Sequence, residues 1–404
     1  MKILLITWAC DRDDVSEPQI AYRWVRGIAQ RHEVTLFSVS RPDRFGCVKE
    51  QFPDLTVIEW CDIRVPNYLE RFRSIAKPGY FFYFKKARKL IQKLIQQNSY
   101  DLIHHLNPFA WRYASPAYGL GLPLVRGPVA GGLPTPKPLC NEIREAFHPY
   151  KFLRKSDGLR KKIDRTLRNS YLLTDCVLGG APYILDLIKP LPVKRFEVEI
   201  EHGLDHIEFV EEFERNCTNK EKVQLLFVGR VIRTKGARDA IRAVSRMKNK
   251  ENISFTIIGD GDDLPSCLKE IRELNLTSII TCAGWCNSKQ IEIAYRDADI
   301  FVFPSFREPT GGVLLEAMSH GLPCITCNYG GPAYLVNEGC GLKILPTEPE
   351  EYAQNIADAL DFLVENRKIR QEMGKNAFIY AQREFDWKKK MARLDAIYSS
   401  LISE

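Results

Sequence analysis

Short apolar runs of four to eight residues recur along the chain, each followed by a stretch with helical spacing. The runs in the first half are "KILLIT", "EVTLFSV", "TVIEW", "DLIHHL", "LPLVRG" and "DCVLGG". Those in the second are "VQLLFVGR", "ISFTIIGDG", "IITCAGW", "DIFVFPS", "LPCITCN" and "GLKIL". Helical patterns such as "ARDAIRAVSRMK" and "IEIAYRDA" lie between them. Strands of this kind, too apolar to face water, require parallel sheets covered by helices on both faces. Two series in 404 residues predict an α/β protein of two Rossmann-like domains, residues 1–195 and 200–383. The boundary falls in "IKPLPVKRFEVEIEHGLD" (188–205). A last helical segment, 384–404, stands outside the second series. Ligands of open α/β sheets bind beyond the carboxyl ends of the strands, so the expected site is the cleft between the two domains.

Bulk properties narrow the class. Hydrophobic residues make up 45% and charged residues 27% of the chain, as in soluble globular proteins. No apolar run reaches the roughly 18 to 20 residues that span a bilayer. The opening "MKILLITWACDRDD" lacks a small-residue cleavage site and reads as a first buried strand. Twelve dispersed cysteines without an export signal read as reduced thiols in a cytoplasmic protein. Neither Cys324 with Cys327 nor Cys282 with Cys286 has a partner pair at zinc-like spacing. Residues 1–200 hold 32 Lys+Arg against 20 Asp+Glu, a balance of +12, whereas the remainder sums to −5. That asymmetry points to an anionic partner for the first half.

Three stretches carry chemistry. "LLFVGRVIRTKGARDAI" puts Gly229 and Arg230 at a strand end and Lys235 and Gly236 at the start of the next helix. A glycine turn, a helix N-terminus and two cations five residues apart suit a diphosphate, and they equally suit a solvated basic loop. "GDGDD" (259–263) lacks the third glycine of a dinucleotide loop and reads as a plain strand-to-helix turn. In "FVFPSFREPTGGVLLEAMSHGLPCI", Thr310 is expected to cap a helix that begins at Gly311 and Gly312 and stops at Gly321. Glu308 then sits at a strand end and Glu316 about two turns into the helix. Taken alone, these glutamates are an acid before a helix and a surface charge.

Together, Gly-Arg-x4-Lys-Gly, Glu-x7-Glu and "NYGGPAYLV" resemble the retaining family-four glycosyltransferases of the GT-B fold, in order and spacing, over about residues 225–340. Fainter echoes lie in "DLIHHLNP", in "EIEHGLD" and in "FDWKKKMARLDAIY", which is similar to the family's final helix that packs back on the N-terminal domain. The resemblance implies a nucleotide-sugar donor whose diphosphate is held by Arg230 and Lys235. It implies that Glu308 faces the sugar and Glu316 the ribose, with Thr310, Gly311 and Gly312 lying along the sugar and phosphates. Gly229 would turn the phosphate loop, and Gly284 and Trp285 would border the base. It implies neither a metal nor a separate cofactor, and an acceptor site in the first domain.

The chain departs from that pattern at several points. Pro309-Thr310-Gly311 replaces the usual Gly-Phe-Gly, Tyr334 stands near a usual Glu, and His202 replaces the interdomain Asn. The strand that ordinarily ends in a sugar-contacting His instead places Val129 there, followed by Gly131 and Gly132. Either the backbone of these glycines meets the donor or the sugar is held differently, and Arg126 reads as well as a structural residue. One or both of His104 and His105 read as core histidines. The basic runs 77–96 and 151–168 suit an anionic membrane surface and a lipid-linked acceptor, or else a solvated face. Other readings are an epimerase, a phosphorylase (whose pyridoxal-lysine segment is not found) and a non-catalytic sugar-nucleotide- or polysaccharide-binding subunit. No nucleic-acid recognition motif is found.

Overall fold

The computed structural model describes residues 1–14, 16–40, 47–61, 80–143, 157–205 and 221–403. The basic runs 77–96 and 151–168 therefore lie partly outside the described residues. The chain forms two compact units. Unit 1 is Met1–Gly132, Ala146–His202 and Lys390–Glu404; unit 2 is Leu133–Glu145 and Gly203–Lys389. The segment Leu133–Glu145, which the sequence order places in the first domain, thus belongs with the second.

Unit 1 is a seven-stranded parallel sheet. Its strands are β1 (Lys2–Ile6), β2 (Glu33–Ser40), β3 (Thr56–Cys61), β4 (Leu102–His105), β5 (Leu124–Val129), β6 (Cys176–Gly179) and β7 (Phe196–Val198), in the order β3-β2-β1-β4-β5-β6-β7. Ile3, Leu4, Leu5 and Ile6 have no exposed surface, because helices cover both faces of β1. The helix Tyr80–Gln97 buries Tyr80, Tyr83, Ala87, Ile91 and Leu94, a stripe at helical spacing, in one core cluster with Trp8 and Ile103. A second cluster gathers Leu167, Tyr171, Ile184 and Ile188 around Trp111 and Val129.

The closing helix, Trp387–Ser403, enters unit 1 from Lys390 onward. Lys390 is fully buried; its ammonium binds Glu199 and donates to the Ile200 carbonyl at 2.6 Å, while Arg393 Nε reaches Glu199 at 3.1 Å. Lys390 and Glu199, two charges this deep, persist because they neutralise each other, while Arg393 stays partly in solvent.

Unit 2 is a six-stranded parallel sheet of β8 (Val223–Val228), β9 (Ile253–Ile258), β10 (Ile280–Gly284), β11 (Ile300–Phe303), β12 (Cys324–Cys327) and β13 (Gly341–Ile344), ordered β10-β9-β8-β11-β12-β13. In both sheets the strand order reverses beside the first strand, between β1 and β4 and between β8 and β11. Such reversals part the flanking loops and open a crevice at the carboxyl edge. Leu204 is clasped to the far end of the unit: its N–H donates to Phe385 O at 2.8 Å and its carbonyl accepts from Trp387 N at 3.0 Å.

Candidate functional site

The site residues of unit 2 gather where β8 and β11 part. After β8 the chain turns at Gly229, makes a short 3-10 turn over Arg233–Lys235, and starts the helix Ala237–Arg246 through Gly236 in the left-handed conformation (φ 83°). A Cβ on Gly236 would lie 2.3 Å from the carbonyl oxygen of Pro304, just past the end of β11. Only glycine lets the two turns approach this closely. The approach brings the Lys235 ammonium onto the Glu308 carboxylate, a direct ion pair whose side chains are 13% and 10% exposed. The same ammonium lies 5.6 Å from the centre of the Phe303 ring. Glu308 does not end β11, which stops at Phe303; it sits in the turn that follows.

That turn differs from the sequence expectation in one respect. Thr310 does not cap the helix Gly312–Ser319: the cap position is Gly311, left-handed at φ 95°, and no side chain bonds the first-turn amides. Thr310 N instead approaches Glu308 Oε1 at 3.4 Å. An uncapped helix N-terminus beside a half-buried lysine offers N–H donors and positive charge to an anion. Gly330 and Gly331 lie against the turn. Gly331 N donates to Glu308 O at 3.0 Å, and a Cβ on Gly331 would meet Thr310 O at 2.3 Å. The glycine pair of "NYGGPAYLV" is there for this backbone contact.

Glu316 is on the exposed side of the helix, and Tyr295 orients it by donating its hydroxyl to Oε2 at 3.1 Å. Burial, then the Glu316 charge, pushes the Tyr295 phenol well above its usual range, so it remains a donor. Its ring stacks on His320 at 5.2 Å. Tyr295 carries no sequence motif; its place in "IEIAYRDA" marks it only as a buried helix position.

The remaining candidates are less closely joined. Arg230 is exposed and makes no ion pair among the described residues. Gly284 ends β10 at φ 69°, with open space where a side chain would be, and Trp285 after it is 78% exposed. Gly259 and Gly261 of "GDGDD" press on Gly229 O and Val231 O, which makes them packing glycines. Gly131 and Gly132 belong to unit 1, at φ 80° and 74°, with Tyr183 donating to Gly131 O at 3.1 Å. Arg126 is buried in unit 1, bonded to the carbonyls of Trp111 and Tyr113 and stacked 4.3 Å over Tyr171, a structural arrangement.

The two-sheet architecture is that of GT-B glycosyltransferase structures. The family model described as glycosyl transferases group 1 matches residues 209–379. The chain is 25% identical over 326 residues to a D-inositol 3-phosphate glycosyltransferase of Paenarthrobacter aurescens, covering 75% of this chain and 74% of that one. It is 29% identical over 190 residues to an uncharacterized glycosyltransferase of Methanocaldococcus jannaschii, covering 46% and 47%, so it spans about half of that relative. Among solved structures it resembles Anabaena HepE in complex with UDP, with a TM-score of 0.65, 17% identity, and 99% and 100% of the two chains covered.

Proposed function

We propose that the protein transfers a sugar from a nucleoside-diphosphate sugar to an acceptor hydroxyl with retention at the anomeric carbon. The observation that carries this reading is the Lys235–Glu308 pair, buried at the switch point beside an uncapped helix N-terminus. Without donor, Glu308 holds Lys235 in place; the incoming diphosphate takes up that ammonium together with Arg230 and the amides of Gly311 and Gly312. Glu316, oriented by Tyr295, binds the ribose hydroxyls, Gly284 and Trp285 flank the base, and Glu308 turns to the sugar. In the transfer the bond from C1 to the diphosphate oxygen breaks and the bond from C1 to the acceptor oxygen forms on the same face. The acceptor proton passes to a phosphate oxygen. Lys235 and Arg230 stabilise the charge that develops on the leaving diphosphate, so the reaction as proposed uses no metal. HepE, which was solved with UDP, supports a nucleotide-based donor.

The acceptor is proposed to be lipid-linked, met at the cytoplasmic face of a membrane. The observation behind this is the described stretch from Asp157 to Leu173, where Leu159 and Ile163, 60% and 64% exposed, stand among Arg160, Lys162, Arg165 and Arg168. No described helix is long and apolar enough to cross a bilayer. Contact would then be peripheral, each basic residue near an anionic surface contributing about 1 kcal/mol.

The decisive test is hydrolysis of UDP-, GDP-, ADP- and dTDP-sugars by the purified protein. Slow nucleotide release from one donor, lost in Lys235→Ala and Glu308→Ala, is expected; binding without release from any donor, even with cell extract supplying acceptors, would sink the transferase reading in favour of a binding subunit. Failure to bind phosphatidylglycerol-containing vesicles at low salt would remove the membrane proposal alone.

A further inference from the structure

The segment Leu133–Glu145 comes from the N-terminal half of the sequence, directly after Gly132, yet it packs in unit 2. Its described part meets the turns that carry Lys235 and Glu308 at one point each, and at a third point it meets Gly330, which lies against the Glu308 carbonyl. Leu133 lies where Gly330 permits it: a Cβ there would be 2.4 Å from Leu133 Cδ2. Thr135 Oγ1 accepts from Arg307 Nη1 at 3.2 Å, and Arg307 directly precedes Glu308. Glu142, at the end of a 3-10 turn anchored by the fully buried Leu139, accepts from Arg233 Nε at 3.0 Å and from Arg242 Nη1 at 3.1 Å.

Arg233 is the keystone. It stands two residues before Lys235 and is buried, with its other face bidentate to the fully buried Asp239 at 2.5 and 2.8 Å. Its guanidinium also covers the Phe306 ring at 5.2 Å, two residues before Glu308. One arginine therefore touches the turn after β8 and the turn after β11, and Glu142 fixes its free edge. Burial works against charge at both Glu142 and Arg233, and the mutual hydrogen bonds and charges outweigh it: Glu142 is held below the usual carboxylate range and Arg233 above its own. A neutral residue at 142 leaves a buried guanidinium half-satisfied, which frees the turn to shift.

We propose that Leu133–Ile143 is a strap that sets the geometry of the donor-binding pair, with Glu142 and Thr135 as positioning residues acting through Arg233 and Arg307. Its importance for donor binding rests on the function proposed above; its grip on Lys235 does not.

The test has two arms. In the first, Lys235 acylation by sulfosuccinimidyl acetate is followed by peptide mass spectrometry, with no ligand present. Glu142→Gln is expected to speed Lys235 labelling roughly fivefold, the scale of one lost charge-assisted hydrogen bond. Thr135→Val, which acts at the Glu308 end and leaves the buried charges intact, should speed it about twofold. Glu270→Gln is the control: it removes one of the two carboxylate partners of Arg242 (3.0 and 2.8 Å), leaves the Glu142–Arg233 contact in place, and should lower Tm without speeding labelling. Labelling unchanged in both strap variants, or raised equally in the control, would overturn the proposal. In the second arm, calorimetry with UDP, GDP, ADP and dTDP compares affinities. Glu142→Gln should weaken the best-bound nucleotide about tenfold, and an unchanged affinity would also overturn it. If the wild-type protein binds none of the four, the donor reading has failed and the labelling arm still decides the strap.

Discussion

The two sheets share one winding order but differ at their switch points. Between β8 and β11 stand a lysine–carboxylate pair, left-handed glycines at 236 and 311, and an uncapped helix. Between β1 and β4 the corresponding loops are joined through an amide and through the Glu17 carboxylate, which accepts from Phe109 N at 3.1 Å. Asn107 Oδ1 accepts from Trp8 N at 2.6 Å, and its amide donates to Ala9 O at 2.8 Å. His104 and His105 at the end of β4 are buried. The His104 Nε2–H donates to Gly127 O at 2.7 Å, which leaves Nδ1 to accept from the Tyr398 hydroxyl at 2.5 Å. The same topology can carry a lysine–carboxylate pair at one switch point and amide and carboxylate-to-backbone bonds at the other, and side chains make the difference.

The largest expected effect breaks the charged edge. Lys235→Ala should lower turnover of the preferred nucleotide sugar by roughly 10² to 10³-fold in steady-state assays, the scale of a lost oxyanion-stabilising group. Glu308→Ala should match it and also destabilise unit 2, because it strands a buried ammonium.

Next in size is a matched pair of glycines, Gly236 in unit 2 and Gly131 in unit 1, at φ 83° and 80°. Gly236→Ala places a methyl against Pro304 O and should cost about 3 kcal/mol of stability in chemical denaturation, backbone strain plus a clash. Gly131→Ala meets nothing within 4 Å and should cost only the conformational penalty of about 1 kcal/mol. Equal losses would mean that close approach of the turns is not what selects glycine at 236.

Acid should separate the two units. Burial pushes His104 down to about 4, despite its bond to Gly127, and holds His105 well below its ordinary value. The unfolded chain therefore binds protons that the folded unit 1 does not, so stability is full above about pH 6.5 and declines as pH falls. The slope is about 1.4 kcal/mol per pH unit for each such histidine, and for His104 it ends near pH 4. Hydrogen exchange at pH 5 against pH 7 should show peptides of unit 1 losing protection. The loss should shrink in His104→Gln if that variant folds.

The smallest expected change is Tyr295→Phe, which removes the hydroxyl that orients Glu316. A rise of roughly fivefold in donor KM with kcat nearly unchanged is expected, about 1 kcal/mol of binding. A fall in kcat instead would place Glu316 in the chemistry.

The strands were readable as short apolar runs, most of them buried on both faces and the edge strands β3 and β10 only in part. The exception is β7: Phe196–Val198 has three half-buried residues at the sheet edge, next to a Pro- and Lys-rich stretch, and its pattern is that of a linker. Lys235 and Glu308 were readable from motif spacing, their contact was not, and Thr310 was misassigned as a cap because a glycine with positive φ took that position. The strap was invisible, since nothing in "GGLPTPKPLCNEI" signals that Glu142 will meet Arg233, 91 residues on. Long-range ion pairs leave no periodic trace in a sequence.

The closing helix bears on how the protein is made. Tyr398, which completes the hydrogen bonds of His104, and Lys390, which neutralises Glu199, leave the ribosome after every residue of unit 2. Unit 2 has its whole chain available before unit 1 does, although most of unit 1 precedes it in the sequence. The usual order of co-translational folding, N-terminal domain first, is thereby reversed: until the closing helix has been made, β4 and β7 await the side chains that close their core.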